Sequence, residues 1–220
     1  MGLVDLLAKP LKPPTKLSMR ISIIILLLLL LIVVTNNQAS FAVDAEISTP
    51  QSVAREKARQ NKLNQDIDRL ERQKQLPAII LTFKKRTNHD RANRLAYLCY
   101  ETTLETPFKP IDLAEIALAE TGGHGLSGKA VSSRGAIGVW QLMPVRAKSH
   151  GYAPADMERD EKCAAAAVKE LKAKLEMASG NLAVAKRLYC GGGKQARAYD
   201  VKIRKYRREI LGNMAKIEAV

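Results

Sequence analysis

Hydrophobic residues are distributed along this chain in two ways. Residues 21–34 read ISIIILLLLLLIVV, the one long apolar run. From residue 91 onward apolar residues instead return every three or four positions, the period of amphipathic helices. Ala92, Leu95, Ala96 and Cys99 share one face of a first helix, which Thr106-Pro107-Phe108-Lys109-Pro110 breaks. Leu113, Ile116, Ala117 and Glu120 mark a second helix, stopped by Gly122-Gly123. Residues 124–143 are glycine-rich, with alternating small and apolar residues, and predict loop and short strands. Pro144 opens another helical stretch to about Gly151. An Ala-rich helix follows over 161–178, with Val168, Leu171 and Leu175 inward. Gly180-Asn181 turns the chain into Leu182 to Tyr189, Gly191-Gly192-Gly193 breaks it again, and a last helix covers about 195–211. The pattern predicts a mainly α domain with a small β element in its middle.

The apolar run follows Lys9, Lys12, Lys16 and Arg20, with Asp5 the one acid before it. A run flanked by cations inserts with its basic end in the cytoplasm, so everything after residue 35 is expected to be exported. As a helix it spans about 21 Å at 1.5 Å per residue, against a hydrocarbon core of about 30 Å. That is short for an anchor and normal for the core of a signal peptide. Ser40-Phe41-Ala42 places small residues where a signal peptidase reads, so residues 1–42 are read as a signal peptide cleaved after Ala42, with retention as an N-terminal membrane anchor the alternative. No cysteine follows the run closely, which argues against a lipoprotein.

Residues 43–90 are read as a charged helical spacer and connector. Leu63, Ile67 and Leu70 share a face over barely two heptads, too few for a coiled coil. Pro77 is expected to end the spacer helix, leaving a short apolar stretch from Ala78 to Phe83 and a basic turn from Lys84 to Asp90.

Charge narrows the partners. The 220 residues carry a net charge of +14, and removing the four bases and one acid of residues 1–42 leaves +11. A strongly basic exported domain favours polyanions such as the cell wall or anionic lipid heads, and export argues against nucleic acid. His89, His124 and His150 stand too far apart for a His-ligated metal site. Cys99, Cys163 and Cys190 form no CxxC pair; in an oxidising compartment they allow one disulfide and one thiol, and the sequence does not choose the pair.

Glu120 is the candidate for chemistry. It closes the apolar turn Ile116-Ala117-Leu118-Ala119 just before two glycines. Burial among apolar side chains and the negative end of the helix dipole both disfavour the carboxylate. A carboxyl kept neutral near pH 6 to 7 can donate a proton to a leaving oxygen.

Glu120-Thr121-Gly122-Gly123 is followed by AVSSRGAIGVWQLMPVRA over residues 130–147. Together they resemble the soluble (Slt-like) lytic transglycosylases of the lysozyme-like superfamily, whose signature is Glu-Ser-Gly-Gly and then Ala-x-Ser-x-x-Gly-Ala-x-Gly-Leu-Met-Gln-x-Met-Pro-x-Thr-Ala. The matching positions are Glu120, Gly122, Gly123, Ala130, Ser132, Gly135, Ala136, Gly138, Gln141, Met143, Pro144 and Ala147. A third element, Leu182-x-x-Ala185-x-x-x-Tyr189-x-Gly191, is similar to the family's Tyr-Asn-Ala-Gly segment. A fourth, Tyr199-x-Val201-x-x-x-x-Tyr206, looks like its C-terminal helix. The chain departs from the pattern at Thr121 (Ser), Trp140 (Met), Arg146 (Thr), Cys190 (Asn), and Gly192 or Gly193 (Pro).

The resemblance covers about residues 91–210 and implies a lysozyme-like transglycosylase domain over 91–220. It implies cleavage of the MurNAc–GlcNAc β-1,4 bond of peptidoglycan by one carboxyl, with no cofactor and no metal. Glu120 would protonate the glycosidic oxygen, then take the proton of the MurNAc C6 hydroxyl as it closes on C1, leaving a 1,6-anhydro end. Most glycosidases use a carboxyl pair; no Asp or Glu lies between Thr121 and Ala155, though Asp112 or Asp156 could approach through folding. By the same resemblance Ser132 would bond near Glu120 or the substrate N-acetyl group, Gln141 and Met143 would line the cleft, and Tyr189 would orient Glu120. Trp140 fits a sugar platform or the core equally. The glycan strands of peptidoglycan are the expected partner. A lysozyme-type hydrolase, and a non-catalytic wall-binding or scaffold part of an envelope-spanning secretion machine, are the alternatives. The membrane is a partner only if the N-terminal segment stays uncleaved.

Overall fold

The computed structural model describes residues 50–191 and 193–219. The apolar run at 21–34 and the Ala42 cleavage point lie outside the described residues. Among the described residues no helix is long and apolar enough to cross a membrane. The described chain falls into two units that part between Asn61 and Lys62. In the first, residues 50–61 are helical and every side chain is exposed.

Helix α1 (Pro50–Gln73) is dense in Gln, Lys, Arg and Glu, all good helix formers, and has almost no buried face. Its Leu63, Ile67 and Leu70 are about half exposed. One residue of α1 is buried to fasten it: Arg72 donates to the carbonyls of Thr103 at 2.8 Å and Thr106 at 3.0 Å, to that of Phe108, and to Asp68 at 2.5 Å.

The spacer helix ends just before Pro77, as expected, but the apolar stretch that follows is itself a helix, α2 (Leu76–Lys84). Pro77 stands in the first turn, where the missing N–H costs nothing and the fixed φ suits the helix. Ala78, Ile79 and Phe83 are completely buried, so this segment is core of the second unit rather than connector. Helix α3 (His89–Thr103) starts on the Asn88 side chain, which accepts from the Arg91 N–H at 2.9 Å.

Helix α4 (Pro110–Thr121) is the axis of the fold. Every residue from Pro110 to Ala119 is buried, as expected of a helix packed on all sides. Around it lie the short α5 (Pro144–Ser149), then α6 (Asp160–Met177), α7 (Leu182–Cys190) and α8 (Lys194–Glu218). α4 packs against α3 and α8, α6 against α3 and α7, and α2 against α3 and α8. Single 3₁₀ turns occupy Gly122–His124 and Pro154–Glu158.

Two carboxylates of α4 are buried with two cations. Lys186 of α7 lies 2.6 Å from Asp112 and 2.5 Å from Glu115; Arg207 of α8 lies 2.8 Å from Glu115 and also reaches Asp112. Asp112 additionally accepts from the Lys109 backbone N–H at 2.7 Å and so caps its own helix. Buried charges are tolerated only when paired in this way.

The expected small β element is not a strand or a sheet. Among the described residues it reduces to two isolated bridges, Val131 with Ile137 and Ile137 with Leu142. The pairing partners lie too close in sequence for a ladder, because glycines with positive φ, Gly135 (81°) and Gly138 (84°), turn the chain between them.

Cys99, Cys163 and Cys190 are all free thiols in the structure, so the one disulfide that export would allow is not formed. Cys99 and Cys163 belong to the hydrophobic core, and burial pushes the Cys163 thiol up to about 12.

At Gly138 a Cβ would stand 2.1 Å from the Met157 carbonyl oxygen and 2.7 Å from the Cys163 sulfur. Gly138→Ala is therefore expected to destabilise the fold by about 2–4 kcal/mol, through both clash and backbone strain. Gly212 is helical, exposed and has nothing within 4 Å of a Cβ, so Gly212→Ala should stabilise by about 0.5–1 kcal/mol. Urea unfolding of the two variants beside the parent checks both signs.

Candidate active site

Helix α4 ends beneath a groove of about 790 Å³ that Glu120 lines from below. One wall is the 130–143 segment and the other is the end of α7 with the first turns of α8. Thr121 locks the helix end to that segment: its buried hydroxyl donates to the Val139 carbonyl at 2.8 Å. Arg91 pins the turn after the two glycines, donating to the Leu126 carbonyl at 2.8 and 2.6 Å while paired with Asp160.

The 130–143 segment holds its own shape. The Gly138 N–H donates to Ala130 O at 2.9 Å, and Ile137 and Leu142 exchange backbone bonds at 2.9 and 3.0 Å. The Ser132 hydroxyl oxygen accepts from the Ala136 N–H at 3.0 Å. The Gln141 amide donates to Ala130 O at 3.0 Å and Gly138 O at 2.8 Å. Gln141 has φ of 50°, a strained value for a non-glycine residue, and these bonds hold it there. Ser132 and Gln141 thus face the groove but spend part of their bonding capacity on its wall. Met143 also lines the groove and is partly exposed.

Tyr189 lines the groove, but its hydroxyl donates to the Trp140 carbonyl at 2.9 Å rather than to Glu120. The hydroxyl beside the acid is that of Tyr199, from α8, which the sequence reading did not single out. It is buried, and among the described residues no partner meets full hydrogen-bonding geometry, although it is near enough to pull on the carboxyl. Tyr199 was findable: with Ile203 and Ile210 it forms the buried stripe of α8, at spacings of four and seven. Trp140 is completely buried and its indole donates to the Leu113 carbonyl at 3.0 Å, which settles it in the core. His124 lines the groove from the exposed 3₁₀ turn.

Burial lifts the Glu120 carboxyl to about 7, while the Tyr199 hydroxyl and the charge of Lys202 pull it back down. Burial and the nearby Glu120 charge keep the Tyr199 phenol protonated and able to donate. Glu120 is the one carboxyl among the described residues lining the groove. Neither candidate partner reaches it: Asp112 is held in the ion cluster, and Asp156 pairs with Arg159 and Lys162. The site is a groove with a single acid that is part-protonated near neutral pH.

Residues 109–209, from the N-cap of α4 through most of α8, match the family model described as Transglycosylase SLT domain. The chain carries a transglycosylase SLT domain. The family comprises peptidoglycan lytic transglycosylases, lyases acting on polysaccharides. Neither the curated proteins nor the solved structures give a match to this chain. The SLT domain holds every groove residue discussed above, while α2 and α3, which lie before it, complete its core.

The raised Glu120 carboxyl sets a pH test. Its protonated form is favoured in the fold, so its contribution to stability is full below about pH 4.5 and is lost as pH rises through about 7. Glu120→Gln, which cannot ionise, should gain on the parent between those values, by up to about 3 kcal/mol at pH 8 relative to pH 4. Urea unfolding of both proteins at the two pH values measures the difference.

Proposed function

We propose that this protein is exported and cleaves the MurNAc–GlcNAc β-1,4 bond of peptidoglycan with Glu120 as its one acid and base. The observation that carries the reading is a lone carboxyl, raised to about 7, in an SLT-domain groove with no second carboxyl to activate water. Glu120 in its acid form gives its proton to the glycosidic oxygen as the C1–O bond breaks. The substrate's own N-acetyl oxygen steadies the cationic C1. The Glu120 carboxylate then accepts the C6 hydroxyl proton while O6 bonds to C1. The acid is regenerated, no water is consumed, and the product carries a 1,6-anhydro end.

Tyr199 serves the first half of that cycle. Its hydroxyl donates toward the carboxylate and so prevents burial from making Glu120 too weak an acid to release its proton. Ser132 and Gln141, fixed by their bonds to the groove wall, present their remaining hydroxyl hydrogen and amide oxygen to the sugar's polar groups. Met143 offers apolar surface. The cationic run 9–20 before the apolar run 21–34, and a charge of +11 beyond Ala42, support export toward an anionic wall, with the segment 1–42 cleaved or retained as an anchor.

Digestion of purified peptidoglycan followed by mass spectrometry of the ends is expected to give 1,6-anhydro-MurNAc; ordinary reducing MurNAc ends would instead identify a hydrolase. Glu120→Gln should lower kcat by about 10²–10⁴-fold.

Tyr199→Phe removes a group that lowers the Glu120 pKa, so the alkaline limb of the kcat–pH profile should move to higher pH as kcat falls. An unmoved limb would show that Tyr199 only packs.

A further inference from the structure

The groove holds two cations that the fold leaves unused. Arg134, on the turn between Ser132 and Gly135, and Lys202, on α8, both line it and are exposed. Among the described residues neither is paired with an acid. The nearest acid on α8, Asp200, is taken by Arg204 at 2.8 Å. By contrast, the cations that build the fold, Arg72, Arg86, Arg91, Lys186 and Arg207, all meet carboxylates.

The two unused cations converge although they come from opposite walls. Both act on the same half-buried groove residue, Cys190: burial and then Glu120 raise its thiol, and Lys202 and Arg134 pull it down. Lys202 also acts on Glu120 itself. The positive pocket therefore lies at the Cys190 end of the groove, beside the acid. Its fork-shaped guanidinium and point-charge ammonium suit a carboxylate.

We infer that Arg134 and Lys202 form a subsite for a carboxylate carried on the lactyl arm of the MurNAc ring that Glu120 cleaves. The inference rests on the peptidoglycan reading above. If Glu120 addresses the bond at C1, the lactyl arm at C3 of the same ring stays within one sugar of it. That arm bears a carboxylate in either form, as its own free acid or as the acids of an attached stem peptide. A neutral β-1,4 glycan of the same shape has nothing to offer the two cations. The subsite thus selects for acid-bearing strands.

The test uses the full chain with Glu120→Gln, so that bound glycan persists, and calorimetric titration with three tetrasaccharides of alternating GlcNAc and MurNAc. One carries stem peptides, one the free lactyl acid, and one the lactyl arm as a neutral amide. Adding Arg134→Gln should weaken binding of the acid-bearing probes about threefold, and adding Lys202→Gln as well about tenfold, with the neutral probe unchanged. Loss on only one acid-bearing probe identifies which carboxylate is gripped. Equal losses on all three probes, or no loss on any, overturn the subsite and leave the peptidoglycan reading standing. Failure of the Glu120→Gln chain to bind any of the three overturns that reading and the subsite with it. Both substituted side chains are exposed and unpaired, so the fold tolerates their replacement.

Discussion

The ion cluster of buried Asp112, Glu115 and Lys186 with half-buried Arg207 is the constraint on which the groove depends. Two carboxylates on one turn of α4 are gripped by a cation from α7 and a cation from α8. Those three helices are the ones that deliver Glu120, Tyr189 and Tyr199 to the groove. Apolar packing is tolerant of small slips, because one methyl contact resembles another. A buried ion cluster is not, since a displaced partner leaves a bare charge in a medium that cannot solvate it. The cluster therefore sets the depth and rotation of α7 and α8 against α4, whether or not it adds net stability.

Within that frame, carboxyls of a single helix meet opposite fates. Burial raises Asp112, Glu115 and Glu120 alike. At Asp112 the charge of Lys186, its hydrogen bonds and Arg207 outweigh burial and the carboxyl is lowered; at Glu115 they do not fully do so. At Glu120 only one neutral hydroxyl and one exposed ammonium oppose burial, and the carboxyl reaches about 7. The distinction comes from where α4 points its turns: the first two toward two cations, the last toward a groove. The helix end also carries partial negative charge, which works in the same direction. A charged structural group, Glu115, and a carboxyl raised toward neutral pH, Glu120, are thus made from the same residue type about one and a half turns apart.

The helices from α3 onward were legible because their apolar residues return every three or four positions, and Glu120 was legible because an acid closing an apolar turn before glycine is chemically odd. Other features were hidden for identifiable reasons. Pro77 reads as a stop or a start depending on whether the chain beyond it can bury itself, and Ala78, Ile79 and Phe83 do. The alternation in 130–143 looks like strand, yet Gly135 and Gly138 spend it on turns. Trp140 looks like a sugar platform until the Leu113 carbonyl behind it captures its indole. The choice between Tyr189 and Tyr199 as the acid's neighbour lies beyond any local pattern. Both sit on buried helix faces, and only the packing of α7 and α8 decides which hydroxyl meets Trp140 and which meets Glu120.

That packing leaves one loose end. The Tyr199 hydroxyl is buried without a well-formed bond, a condition that costs about 1–3 kcal/mol in a folded protein. Gln141 is held at a positive φ by two hydrogen bonds, another local cost. Both line the groove, although the Tyr199 ring also packs into the core. Sequences that are otherwise locally consistent break their own rules where a ligand must be met. A neutral Glu120 gives Tyr199 little to donate to, whereas an ionised one gives it a strong acceptor. The unsatisfied hydroxyl is therefore matched to the charged state of the acid, which forms only after the proton has left. On the single-acid proposal, the groove is complementary to the middle of a proton-transfer cycle more than to its resting state, the arrangement that such catalysis requires.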